Sequence, residues 1–201
     1  MEENKPLTAL QRSGRRKMLL VLFICAAPLL FSYLTYYVIK PAGRTNYGAL
    51  IDPRDHPIPA ALATTTLDGK PTGLDAYKGK WIMLQTGPSD CADTCRKQLF
   101  AMRQLRLMQG KEMTRIERVW LINDTAPLDT LLIREYDGMN MLRVAPAPLK
   151  AWLPVDAGDS ADGHIFLIDP LGNLMMRFPR DADPAKVKKD IGKLLMASAI
   201  G

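Results

Sequence analysis

Two cysteines separated by three residues carry the clearest chemical signal in this 201-residue chain. Cys91 and Cys95 follow a short apolar segment and open a stretch with helical spacing, and one histidine, His164, lies far downstream. Two thiolates and an imidazole form a soft ligand set that suits copper. Zinc is less favoured, because four ligands are usual in its structural sites. The same two thiols could instead form a disulfide and exchange it with other thiols.

The position of the pair predicts reactive sulfurs under both interpretations. Residues i and i+4 on a helix lie on one face, so both side chains can reach one site. The N-terminus of a helix carries partial positive charge, which favours thiolate over thiol. A disulfide across so few residues stabilises a fold little, which argues against a purely structural role. The three-residue spacing gives a wider ring than the usual C-x-x-C of dithiol oxidoreductases, and this leaves room for a metal ion.

The N-terminal region predicts a membrane anchor. Residues 18–39 contain no charged side chain and are mostly large and apolar, which is enough length for a transmembrane helix. Residues 1–17 form a basic tail before this span and predict a cytoplasmic N-terminus. A cleaved signal peptide is the alternative, but its apolar region would be shorter and would end in a small-residue cleavage site. Cys25 lies within the span and is interpreted as a small apolar residue.

The net charge of +6 does not predict a nucleic-acid surface. Residues 1–39 hold five Lys or Arg and two Glu, so half of the excess belongs to the anchor and its tail. The remaining positive charge is small and scattered. No nucleic-acid partner is therefore expected.

The rest of the chain predicts one small α/β domain over residues 61–201. Residues 40–60 are rich in Pro and Gly and are predicted to be a linker, in which His56 is interpreted as exposed. Residues 137–162 are predicted to be irregular. Periodicity and turn signals predict strands at 62–67, 80–86, 118–123, 164–168 and 174–178, and helices at 93–109, 128–136 and 185–196.

This order of elements predicts a thioredoxin-like α/β domain, with a central mixed sheet flanked by helices, preceded by a single N-terminal transmembrane helix. Three segments also resemble the Sco/SenC proteins, a thioredoxin-like family that assembles the copper centres of cytochrome c oxidase. Residues 87–95 resemble the C-P-x-x-C-P element of that family, and residues 162–170 resemble its D-H-S-x-x-x-x-L-x-D-P element. Residues 122–130 resemble its V-D-P-x-x-D-T stretch.

The resemblance is that of a divergent member. Ala92 and Arg96 stand where prolines usually flank the cysteines, and Asn123 stands where the family has an aspartate. The interval from His164 to the Asp-Pro pair at 169–170 is also shorter than in the family pattern.

The resemblance implies a membrane-anchored copper chaperone for cytochrome c oxidase assembly, and not an enzyme. Cys91, Cys95 and His164 would bind one copper ion, as Cu(I) or Cu(II). Asp124 and Asp162 either orient the histidine or serve only as turn residues. The copper would pass by ligand exchange to the copper-bearing subunit of the apo-oxidase. A thiol reductant or a copper donor would be a further partner. The implied location is the inner (cytoplasmic) membrane, with the domain on the periplasmic side.

Two other functions remain open on the residues alone. A thiol-disulfide oxidoreductase that keeps the cysteines of a partner reduced for copper loading needs only Cys91 and Cys95, and it makes His164 dispensable. A structural assembly factor that docks on a membrane partner without chemistry would tolerate the loss of both cysteines.

Overall fold

The structure is a computed structural model that describes residues 9–39 and 45–200. Its first element is a long helix, α1 (Ala9–Leu34), which continues as a short π-helical segment, Thr35–Ile39. Within it, Gly14–Ile39 is long and apolar enough to cross a membrane, by length and composition. The predicted span at 18–39 is therefore helical throughout. Residues 1–8 of the predicted tail and residues 40–44 of the predicted linker lie outside the described residues.

The second compact unit, Asn46–Gly201, is built on an eight-stranded mixed sheet. The strands are β1 (Ala49–Leu50), β2 (Thr64–Thr66), β3 (Pro71–Thr72), β4 (Trp81–Gly87), β5 (Ile116–Ile122), β6 (Asn140–Val144), β7 (Ile165–Ile168) and β8 (Leu174–Phe178). Their spatial order is β1-β8-β7-β4-β5-β6-β2-β3. Strands β4, β5 and β6 run parallel to one another, whereas β7 runs antiparallel to β4. The two longest strands, β4 and β5, lie in the middle because they are apolar on both faces.

Four helices cover the two faces of this sheet. They are α2 (Asp93–Leu107), α3 (Thr130–Glu135), α4 (Pro146–Trp152) and α5 (Pro184–Ala197). Apolar side chains of α2 and α5 pack with one face of the central strands, and those of α4 pack with the other face. The side chain of Asp183 caps α5 by accepting a hydrogen bond from the Ala185 N–H, as its sequence position predicts. The predicted architecture, a mixed sheet flanked by helices after one apolar N-terminal helix, is confirmed.

The predicted boundary between linker and domain at residue 60 is wrong. The domain begins near Asn46 instead, since β1 pairs with β8 and Ile51 and Ile58 pack against the core. His56 is half-buried rather than exposed, and its carbonyl oxygen accepts a hydrogen bond from Trp152 Nε1. Prolines in this segment shape an ordered edge of the domain and not a flexible tether.

Residues 137–162 are also more regular than predicted. They contain β6, which extends the parallel part of the sheet, and α4, which covers its second face. Pro146 stands at the start of α4, where a missing N–H costs nothing. The prolines that suggested an irregular segment therefore mark the beginning of a helix.

Candidate redox and metal site

The two cysteines lie where the central strand gives way to a helix. Strand β4 ends at Gly87 and α2 begins at Asp93, so Cys91 precedes the helix and Cys95 belongs to its first turn. The two residues are joined by a disulfide, with their Cα atoms 5.1 Å apart. Cys91 has a φ of 32°, in the left-handed region that L-residues rarely adopt. The loop must therefore be held in place by other contacts.

Asp124 supplies these contacts from the end of the neighbouring strand. Its Oδ2 accepts hydrogen bonds from the backbone N–H of Ser89 at 2.8 Å and from the Ser89 hydroxyl at 3.0 Å. Burial alone would raise the pKa of Asp124, but these bonds, a bond from Ala126 N–H and the charge of Arg143 outweigh it and lower the pKa. Sequence reasoning proposed that Asp124 orients the histidine. In the structure, the Asp124 carboxylate instead stabilises the loop that leads to Cys91, through its hydrogen bonds with Ser89.

The two sulfurs have different surroundings. Cys91 is fully buried and packs within the core under α2, whereas Cys95 is partly exposed. Gln85, on β4, donates a hydrogen bond from Nε2 to Cys95 Sγ at 3.4 Å. Gln85 is 1% exposed, and within the described part of the chain its Oε1 has no hydrogen-bond partner. A polar residue inside an apolar strand is the sequence signal that could have singled out Gln85.

His164 lies directly before β7, at the same edge of the sheet as the end of β4, as predicted. Its Nδ1 donates to the carbonyl oxygen of Phe178 at 2.9 Å, because a carbonyl can only accept. Its Nε2 lies 2.8 Å from Oδ2 of Asp159, and Arg180 lies 2.7 Å from the other oxygen of that carboxylate. The hydrogen bond with His164 is the main reason why the pKa of Asp159 is lowered. Asp159 was missed in the sequence because it lies in the segment predicted to be irregular.

The ring of His164 and the cysteine pair have different neighbours. The ring of His164 lies 6.2 Å from that of Phe166, which belongs to the apolar cluster that includes α4. The cysteines pack on the α2 face. Among the described residues, no three His, Cys, Asp or Glu side chains are grouped closely enough to share a metal ion. The disulfide holds Cys91 and Cys95, two of the three predicted ligands, next to each other.

The donor set can nevertheless be compared with what copper requires. Two thiolates, once the disulfide is reduced, are suitable ligands for Cu(I). A histidine that binds a metal usually donates its other ring N–H to a carbonyl or carboxylate, as Nδ1 of His164 does here. The Nε2 atom would have to leave Asp159 before it could bind a metal. Ligation by His164 stays a prediction.

Asp162, the second candidate to orient the histidine, has a different contact. It accepts a hydrogen bond from Asn123 Nδ2 at 3.4 Å, and burial raises its pKa. It lines a cavity of about 270 Å³ at the ends of β4 and β5, together with Asp159 and residues of α4. Asp159, and not Asp162, fixes the ring of His164.

Comparison with known proteins agrees with this architecture. The family described as "Transmembrane-like, thioredoxin-like, C-terminal domain" matches residues 81–198, more than half of the chain. Among curated protein sequences, none matches. Solved structures with low sequence identity to this chain have a similar fold, and they establish that its fold is thioredoxin-like.

Sco proteins are among these structures. Arabidopsis thaliana ScoI, solved with copper bound, has a TM-score of 0.56 and 17% identity, over 70% of this chain and 99% of that protein. Yeast Sco1 with copper bound has a TM-score of 0.54 and 15% identity, over 78% of this chain and 97% of that one. A SCO1/SenC family lipoprotein from Bacillus anthracis has a TM-score of 0.53 and 20% identity, over 73% of this chain and 99% of that one.

Proposed function

The chain belongs to the family of transmembrane-like, thioredoxin-like C-terminal domains, and on that premise we propose that it is a membrane-anchored, Sco-like copper chaperone. Its Cys91–Cys95 pair would alternate between a disulfide and a dithiol that binds one copper ion. The observation that carries this proposal is the cysteine pair itself, which lies after the C-terminal end of β4 and beside the N-terminus of α2. This position favours thiolate once the disulfide is reduced.

The sequence of events follows from the chemistry of the sulfurs. A thiol reductant opens the disulfide, and both sulfurs become available to a soft metal ion. A site with few protein ligands releases its cargo by ligand exchange, because an incoming thiolate can add before an outgoing one leaves. We propose His164 as a third ligand that binds only after its Nε2 separates from Asp159. Asp159 would then act as the competitor that the metal displaces.

The proposed recipient is the copper-bearing subunit of cytochrome c oxidase. The similarity to ScoI and Sco1, both solved with copper bound, supports copper as the ion that this protein carries. The apolar helix Gly14–Ile39 supports anchoring in the membrane that holds the oxidase. We further propose the inner membrane, with the domain on the periplasmic side, as the location, since basic residues precede the uncharged span 18–39.

The test is a Cu(I) titration of the reduced, full-length protein in detergent, against a competing chromogenic chelator. All proteins carry Cys25→Ser, so that only two thiols remain. One copper per chain is expected, and the double variant Cys91→Ser, Cys95→Ser should bind none tightly. His164→Ala should weaken binding by about tenfold or more if the ring is a ligand. His56→Ala removes the other histidine of the chain and should change nothing.

A second candidate is a thiol-disulfide oxidoreductase that uses the same pair. The observation that favours it is that both ring nitrogens of His164 already have hydrogen-bond partners. This candidate predicts that copper binds weakly or without regard to His164, while the protein catalyses disulfide exchange on a dithiol peptide. The titration and the exchange assay, run on the same variants, separate the two functions.

A further inference from the structure

The two sulfurs of the pair have unequal roles. We propose that Cys95 is the sulfur that forms the mixed disulfide with a partner protein, that Cys91 is the resolving sulfur, and that Gln85 positions Cys95. The inference rests on the proposed function, since it assumes that the pair is opened and closed by an external dithiol. It adds which atom meets the partner and what class of partner that is.

Accessibility is the first argument. In disulfide exchange, a thiolate attacks one of the two sulfur atoms of a disulfide. The rate therefore depends on how accessible that sulfur is. Cys91 is fully buried, whereas Cys95 is partly exposed on the first turn of α2. A partner thiolate can therefore approach Cys95 without opening the core. It can approach Cys91 only after local unfolding of the loop.

The bracing of the loop is the second argument. Cys91 N–H bonds to the carbonyl of Pro88, and Ser89 is bound to Asp124 by both its N–H and its hydroxyl. These contacts hold Cys91 at its positive φ and keep its sulfur inside the core. Cys91 can thus re-form the bond to Cys95 whenever Cys95 is freed, but it is poorly placed to meet another protein.

The contact from Gln85 is the third argument. Its amide N–H points at Sγ of Cys95, and a hydrogen bond to an anionic sulfur is stronger than one to a neutral sulfur. The contact therefore stabilises Cys95 as the thiolate, both when it attacks and when it leaves. Hydrogen bonds that involve the sulfur of Cys91 are not found among the described residues.

The exchange balances with a partner dithiol as reductant. A partner thiolate attacks Sγ of Cys95, the Cys91–Cys95 bond breaks, and Cys91 leaves as thiolate. The second partner thiolate then attacks its own neighbour in the mixed disulfide and releases Cys95. Two electrons pass from the partner dithiol, which becomes a disulfide, to the cysteine pair. In the reverse direction, Cys95 attacks a partner disulfide and Cys91 resolves the intermediate.

The test compares two single-cysteine forms of the full-length protein, both in the Cys25→Ser background. Cys91→Ser leaves Cys95 alone, and Cys95→Ser leaves Cys91 alone. With glutathione disulfide at fixed pH, the Cys95-only form should react at least about tenfold faster, since reaction at the buried sulfur needs local opening. The Cys95-only form should also accumulate a stable mixed disulfide when it attacks the disulfide-linked dimer of a single-cysteine peptide and releases one peptide thiol. Equal rates, or a faster Cys91-only form, would overturn the proposal.

A second measurement avoids any change in the cysteine pair. The Cys25→Ser protein is reduced, treated with limiting iodoacetamide and mapped by mass spectrometry. Alkylation at Cys95 should exceed that at Cys91 by about tenfold. Gln85→Leu should lower this ratio. Gln98→Leu changes a buried glutamine on α2 whose Nε2 has no hydrogen-bond partner among the described residues, and it should leave the ratio unchanged. If iodoacetamide alkylates Cys91 more than Cys95, this inference is contradicted but the proposed function is not. If no thiol reductant reduces the Cys91–Cys95 disulfide, the proposed function itself is contradicted.

Discussion

At the scale of single residues, the properties of the pair depend on two polar side chains beside it. Gln85 contacts the sulfur of Cys95, and Asp124 braces the loop that carries Cys91. One acts on the chemistry of a sulfur, and the other acts on the conformation of the loop. Their removal should therefore change different measurable quantities.

Gln85→Leu should make the disulfide harder to reduce. The amide N–H stabilises the reduced Cys95, and a hydrogen bond to a charged group contributes about 1.5 kcal/mol. For a two-electron couple, a loss of about 1.4 kcal/mol corresponds to about 30 mV, toward more negative potential. Equilibration with glutathione redox buffers measures the shift. The control variant Gln98→Leu removes a buried amide on α2. An equal shift of the reduction potential in that variant would contradict the role of the Gln85–Cys95 hydrogen bond.

Asp124→Asn should destabilise the domain at neutral pH and less so in acid. The pKa of Asp124 is lowered in the folded protein, so its stabilising effect is present above about pH 4, the ordinary range of aspartate, and is lost as the pH falls through the folded value. The expected loss at pH 7 is about 1–2 kcal/mol in the free energy of unfolding. Denaturation at pH 7 and pH 3 measures it.

The control for Asp124 is Asp68→Asn, which removes an exposed carboxylate in a turn. It should change the stability little at either pH. A difference between Asp124→Asn and the unmodified protein that stays constant from pH 7 to pH 3 would show that the carboxylate charge has no part in the effect.

How far the sequence predicts the site can be judged from four residues. Cys91 and Cys95 could be placed together because i and i+4 geometry at a helix start is local. His164 could be placed at the correct edge of the sheet, since strand order fixes that edge. The hydrogen-bond partner of its Nε2 could not be predicted from the sequence. Asp159, its partner, comes from a loop without periodicity.

At the scale of secondary-structure elements, segments with a clear apolar pattern were predictable, including the short strands β7 and β8, and segments without such a pattern were not. The buried strands β4 and β5 and the helices α2 and α5 have clear periodicity. Strand β6 has five residues, including Asn140 and Arg143, and it becomes a strand only because β5 offers an edge for pairing. Strand β1 has two residues and is likewise defined by its partner, β8. Such elements depend on tertiary contacts that a local sequence pattern does not contain.

Asp190 fixes the segment before β1 to the last helix. Its Oδ2 accepts hydrogen bonds from the backbone N–H of Tyr47 at 2.6 Å and of Gly48 at 3.0 Å, and its side chain is 3% exposed. Asp190→Ala would leave two N–H groups without this acceptor, at a cost of about 2–4 kcal/mol in the free energy of unfolding. Chemical denaturation and faster hydrogen exchange at Tyr47 and Gly48 would measure it.

Lys189→Ala is the matched control for Asp190, since it changes an exposed neighbour on the same helix. Its stability should differ from that of the unmodified protein by less than about 0.5 kcal/mol. Unchanged exchange at Tyr47 and Gly48 in Asp190→Ala would contradict the view that this carboxylate holds the beginning of the domain.

At the scale of the whole molecule, the proposed function requires that the domain and its cysteines lie outside the cytoplasm. Cytoplasmic thiols are kept reduced, whereas a disulfide persists in an oxidising compartment. The expected orientation depends on the four basic residues that precede the span closely: Arg12, Arg15, Arg16 and Lys17. Lys40 and Arg44 follow it on the other side. The excess of basic residues before the span 18–39 therefore predicts this orientation.

Changing those four residues to Glu should reverse the excess and retain the domain in the cytoplasm, because only Lys5 then remains before the span, whereas Lys40 and Arg44 follow it. In bacterial cells, a periplasm-active phosphatase fused after residue 201 should lose its activity, and trapping with a thiol reagent should find Cys91 and Cys95 reduced rather than joined. The control for the change of charge alone substitutes Glu for four exposed lysines of the domain: Lys97, Lys150, Lys188 and Lys189. An active phosphatase and an intact disulfide are expected in that control. The same result in the N-terminal variant would show that the basic tail does not orient the protein, and the periplasmic location of the cysteine pair would then need another cause.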